Sequence, residues 1–155
     1  MAANATGPAP RVYLAAATRV TDDDAAARLL ASSAFVPGRS LVLAAAAGAP
    51  DAQAAGSCAL VHDRIERLTV RCHASAPSFA VVADAFFAGW YATVDGAPAP
   101  ILRANLAMRA VPVPAGDSTV ELAYRPAHLG AGAVTSLFAL LVAAWLTVRA
   151  YRRRA

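Results

Sequence analysis

From Leu129 to Val148 the chain runs LGAGAVTSLFALLVAAWLTV, twenty residues without a formal charge, and Arg149, Arg152, Arg153 and Arg154 follow directly. A helix rises about 1.5 Å per residue, so this run matches the roughly 30 Å hydrocarbon core of a bilayer. Its leucines, valines and phenylalanine each favour insertion by roughly half a kcal/mol, and no central charge opposes them with its roughly 3 kcal/mol. The run is therefore expected to be a transmembrane helix over 129–148, with 149–155 as a basic tail. Trp145 and Tyr151 suit the interfacial aromatic belt on the tail side, and Gly130, Gly132 and Ser136 form a small-residue stripe that permits close helix packing.

The balance of charge fits that reading. Of 155 residues, 58% are hydrophobic and only 15% charged, and the mean hydropathy is +0.47. The net charge of +4, from 14 basic and 10 acidic residues, sits largely in the tail. A nucleic-acid binder needs a basic face rather than a basic end, so no nucleic-acid partner is implied. Positive residues stay in the cytoplasm, which places the tail inside and the preceding domain outside. The start, MAANATGPAPRVYL, has neither a basic n-region nor an apolar h-region. The chain is thus expected to be the C-terminal piece of a longer polytopic protein. The competing arrangement, a tail anchor whose arginines cross the membrane, goes against the charge rule.

Residues 1–10 read as a linker and 11–126 as one extracytoplasmic domain. Thr21 before Asp22, Asp23 and Asp24 reads as a helix start, a capping hydroxyl followed by acids at the positive end of the dipole. That helix is expected over 25–31, with Leu29 and Leu30 facing the core. Ser40–Ala44 and Phe79–Ala83 read as apolar strands, and 45–56 as a loose Ala/Gly connection. A hairpin is expected near Arg64 and Ile65. A second should join 90–94 to 97–101 through Asp95-Gly96, whose positions both need positive φ. A third should join 108–113 to 119–124 across Pro114 to Asp117, with Val120, Leu122 and Tyr124 on one face. The fold class expected is mainly β: an antiparallel β-sandwich with one short N-terminal helix, followed by a single C-terminal transmembrane helix.

Cys58 and Cys72 flank the first hairpin. They are either two buried free thiols, the plainer reading, or a cross-strand disulfide formed outside the cytoplasm and contributing about 3 kcal/mol. His62, His73 and His128 share no ligand spacing, so no metal is assigned. No nucleophile elbow, zinc-protease signature or phosphate-cradling glycine loop occurs. Trp90 or Tyr91 could stack on a sugar ring, although neighbours in a strand face opposite sides and core packing is the bland account of Trp90. Asp95 could bind a hydroxyl, though turn geometry alone explains it. Arg103 and Arg109 could clamp a phosphate or carboxylate, or pair with Asp84, Asp95 or Glu121 inside the domain. Asn105 reads as a loop residue bonded to backbone.

Gly89-Trp90, Val94-Asp95-Gly96, Leu102-Arg103-Ala104-Asn105, the run Arg109 to Gly116, and Tyr124-Arg125-Pro126, followed by an apolar helix, resemble the C-terminal extracytoplasmic region of the YfhO-type bacterial membrane proteins. The resemblance implies a polytopic parent that moves a sugar from a polyprenyl-phosphate carrier in the cell envelope. It implies as partners the lipid bilayer, the parent's upstream transmembrane helices, and a glycan or polyprenyl-phosphate sugar, with no cofactor. The family's catalytic parts are expected in other regions, and no acid here can be matched to them, so activity is not expected of this chain alone. The role implied is an accessory one. The alternative is a non-catalytic, membrane-anchored interaction or structural domain.

Overall fold

The computed structural model describes residues 10–20, 22–44, 56–126 and 129–153. Residues 1–9 of the expected linker 1–10, 45–55 of the expected Ala/Gly connection 45–56, Thr21, Ala127, His128, Arg154 and Ala155 lie outside the described residues. The elements are β1 (Val12–Val20), α1 (Asp23–Leu30), β2 (Ser40–Ala44), β3 (Gly56–Arg64), β4 (Arg67–Ala74), β5 (Ser78–Ala85), β6 (Trp90–Val94), β7 (Ala97–Ala99), β8 (Leu102–Ala104), β9 (Met108–Val113), β10 (Gly116–Tyr124) and α2 (Leu129–Arg152). The chain divides into two compact units, one ending at Arg125 and one beginning at Pro126.

The first unit is mainly β, but it is not the expected antiparallel sandwich. Five strands close into a barrel in the order β1-β2-β8-β9-β5, and the other five form an open sheet, β3-β4-β10-β6-β7. The pair β1–β2 is parallel, in register from Ala16–Ser40 to Val20–Ala44. A parallel pair needs a crossover of a dozen or so residues, and the segment containing α1 supplies it. The helix is capped by Asp22, whose carboxylate accepts from the Ala25 N–H at 2.7 Å. Its buried side chain is Ala26, while Leu29 and Leu30 are only half-buried.

Period-two alternation sends side chains of the same strand into two separate cores. Tyr13, Ala15, Leu41, Leu43, Phe79 and Val81 fill the barrel. Val12, Leu14, Ala80, Val82, Val111 and Val113 point the other way and pack with Leu68, Val70, Val120 and Leu122 of the open sheet. β5 is therefore buried on both faces from Ser78 to Val82. Each fully buried Leu, Val or Phe contributes roughly 1.5–3 kcal/mol, so this double layer is the main source of stability.

The turn at Asp95-Gly96 joins β6 to β7, with φ of +50° and +82° as the sequence requires. The expected hairpin between 108–113 and 119–124 does not form. β9 pairs with β5 and β8 in the barrel, and β10 pairs with β4 and β6 in the sheet. The link through Pro114 and Ala115 ends at Gly116, whose φ is +100°, and it carries the chain from one layer to the other.

The second unit holds α2, a helix of 24 residues. Val134, Leu137, Phe138, Leu140, Leu141 and Leu146 are each more than half exposed in it. The Arg149 guanidinium lies 5.1 Å from the Trp145 ring centroid. Among the described residues no helix is long and apolar enough to cross a membrane.

Candidate functional site

Asp84 is the first charge on β5, and that carboxylate organises one end of the first unit. Arg11 grips it as a fork, Nε to Oδ1 at 2.9 Å and Nη2 to Oδ2 at 3.0 Å. Arg109 on β9 donates from Nη2 to the same Oδ2 at 3.0 Å. Arg11 also donates to Asp63 at the end of β3. The hydrogen bond from Arg11 holds the Asp84 carboxyl below the usual carboxylate range, against the opposing effect of burial. The same bond pushes the Arg11 guanidinium up. Burial pulls Arg109 down, yet a guanidinium stays charged at any physiological pH. Asp84 is thus a fixed counter-ion, poorly suited to proton transfer.

Arg109 is 2% exposed, and its guanidinium stacks over Trp90 at 4.1 Å from the ring centroid. This cation–π contact is largely desolvated, the setting in which such contacts are strongest. Trp90 in turn meets Phe87 edge-on at 6.3 Å and Tyr124 at 5.4 Å, and Phe87 meets Tyr124 at 5.5 Å. Gly89 makes this cluster possible. Its φ is +100°, and a Cβ there would lie 2.7 Å from Cε2 of Tyr124. Trp90 Nε1 and Arg109 Nε and Nη1 have no hydrogen-bond partner among the described residues.

Of the candidate sugar or phosphate contacts marked in the sequence, Trp90 and Arg109 come together as packing partners, and Arg109 makes the ion pair with Asp84 that was the other reading of it. The Trp90 face that meets Arg109 is closed to a sugar ring. Tyr91 points to the other side of the sheet and is 58% exposed. Asp95 lies at the far end of β6, where its Oδ1 accepts from the Thr119 N–H at 2.7 Å and its own N–H donates to the Thr119 carbonyl. Arg103 pairs with Asp23 of α1 at 2.5 Å. Asn105, at φ +47°, is buried; Oδ1 accepts from the Val42 N–H at 2.8 Å and Nδ2 donates to the Tyr13 hydroxyl at 3.3 Å. It ties β2 and β1 across the barrel. Cys58 and Cys72 face each other across β3 and β4 and are disulfide-bonded, not free.

Tyr91 stands between two shallow clefts. One, of about 260 Å³, is lined by Phe86, Phe87, Trp90, Pro98 and Ile101. The other, of about 240 Å³, is lined by Arg67, Thr93, Glu121, Ala123 and Arg125. Ala123 is in register with Arg67 on one side and Tyr91 on the other, so a small residue between two large ones leaves the notch. Of these flanking residues, Arg67, Thr93 and Ala123 escaped the sequence reading, since each looks like an ordinary position on an alternating strand.

Gly89, Trp90, Arg109 and the close of β10 are thus the frame of this end, and all of them fall within one matched stretch. Residues 80–136 match the family model of the bacterial membrane protein YfhO. No curated protein and no solved structure matches the chain. The YfhO match spans most of β5, all of β6 to β10 and the opening of α2. It therefore contains Asp84, Trp90, Arg109, Tyr124 and Arg125, but neither Arg11 nor either cysteine. It is consistent with a membrane protein domain.

Proposed function

We propose that the chain is a non-catalytic, extracytoplasmic accessory domain of a membrane glycosyltransferase that draws its sugar from a polyprenyl-phosphate carrier. In this reading α2 spans the bilayer, with Arg149, Arg152, Arg153 and Arg154 on the cytoplasmic side. The observation that carries it is the YfhO match, which runs from the β-sheet unit into the apolar helix without a break. The unburied leucines, valines and phenylalanine of α2 support the anchor, because lipid is the solvent that such a surface fits. The ion pairing of Asp84 supports an accessory rather than a catalytic role.

The surface around Tyr91 is the glycan contact in this proposal. A flat apolar sugar face packs on an exposed phenol ring, and Thr93 and Glu121 at the rim can bond its hydroxyls. Full-length protein in nanodiscs should retain envelope polysaccharide in a pull-down, and Tyr91→Ala should cut retention about tenfold, the loss of a single stacking contact of roughly 1–1.5 kcal/mol. Equal retention by both proteins would remove Tyr91 from the contact. No retention by the parent would favour a structural domain that binds a protein partner instead.

A further inference from the structure

The β3–β4 hairpin ends in a feature that aqueous surfaces disfavour. Ile65 forms its tip at 96% exposure, flanked by Arg64, Glu66 and Arg67. The loop after β5 shows Phe86 and Phe87, 39% and 48% exposed. Both lie at the end of the unit where β10 finishes. The Tyr124 N–H donates to the Glu66 carbonyl at 2.9 Å, and the Arg125 N–H donates to the Gly89 carbonyl at 2.7 Å. Asp63 and Asp84 are engaged by Arg11 and Arg109, whereas Arg64, Arg67 and Arg125 are exposed, with Glu66 beside Arg67 and Glu121 lining one cleft with Arg67 and Arg125 as the acids on this end.

We propose that this end, the Ile65 tip with the Phe86–Phe87 loop and its arginines, is a contact surface for anionic phospholipid headgroups. The proposal rests on the reading of α2 as a membrane anchor. Between Tyr124 and Leu129 the chain can reach at most about 18 Å even when fully extended, so an α2 that spans keeps this end within reach of the bilayer surface. An apolar tip ringed by arginines fits that surface on both counts, since the side chain enters the headgroup boundary and the cations meet lipid phosphates.

The test uses the full chain in nanodiscs of phosphatidylcholine, alone or mixed with phosphatidylglycerol. Ile65→Trp adds a reporter at an almost fully exposed site, where no packing is lost; Ala115→Trp reports from beyond the opposite end of the sheet. With headgroup nitroxide lipids, the added Ile65→Trp emission should be quenched at least threefold more than that of Ala115→Trp. Phosphatidylglycerol should increase the difference, and Arg64→Gln should reduce that increase. Equal quenching at both positions, with Trp145 still quenched by acyl-chain bromines, would overturn the surface and leave the anchor standing. Loss of quenching at Trp145 would overturn both. Protection of Ile65→Trp in native membranes but not in lipid nanodiscs would assign the surface to a protein and overturn the lipid proposal.

Discussion

Asp84 serves two guanidinium groups at once, and one of them, on Arg109, is almost entirely out of water. Removing the shared carboxylate leaves Arg109 buried beside Trp90 without a counter-ion. Asp84→Asn should therefore cost about 2–3 kcal/mol in urea unfolding, on the low side for an orphaned buried charge because Asp84 keeps some water. The pH dependence has a definite sign. The folded carboxyl titrates below its unfolded value of about 3.9, so its contribution is fully present above that value and is lost as pH falls through the lower, folded one. Urea midpoints measured from pH 6 downward should fall along that limb, and the limb should flatten in Asp84→Asn. Trp90 and Arg109 were visible in the sequence as separate candidates. Their stacking was not, because it joins β6 of the open sheet to β9 of the barrel, and no local pattern reports contacts between layers.

β3 is an edge strand with most of its side chains exposed, held to β4 by its ladder and by the Cys58–Cys72 bond. Cutting a cross-link that closes a loop of this size removes about 3 kcal/mol. Reduction, or Cys58→Ser with Cys72→Ser, should lower the denaturant midpoint accordingly, and hydrogen exchange should rise first along 56–64. At this scale the sequence was informative where the signal is local. β2 and β6 fall on the expected residues, and Asp95-Gly96 forms the expected turn because positive φ at both positions is a property of those two residues. The supposed hairpin between β9 and β10 failed for the opposite reason. Two alternating strands joined by Pro, Ala and Gly look the same whether the link stays in one sheet or passes to another. The parallel β1–β2 pair was likewise hidden, since it depends on where α1 lays the chain down.

For the whole molecule, the proposed orientation makes the arginine tail decisive. If α2 spans, replacing Arg149, Arg152, Arg153 and Arg154 with glutamine should move a substantial share of C-terminal phosphatase fusions from the inactive cytoplasmic state to the active external one. An unchanged phosphatase signal would show that something other than the tail sets the orientation. The match to the YfhO family also takes on a physical meaning at this scale. Residues 80–136 lack β1, β2 and β4, so that stretch cannot by itself complete either layer of the β unit.

The barrel has its seam where β1 meets β5 and β2. Once made, β1 must wait for β9, more than ninety residues later, before the ring can shut. Until then its unpaired edges are open to any passing strand. A nascent chain of this design gains from a chaperone, or from a translocation channel that keeps it extended until Val113 has emerged.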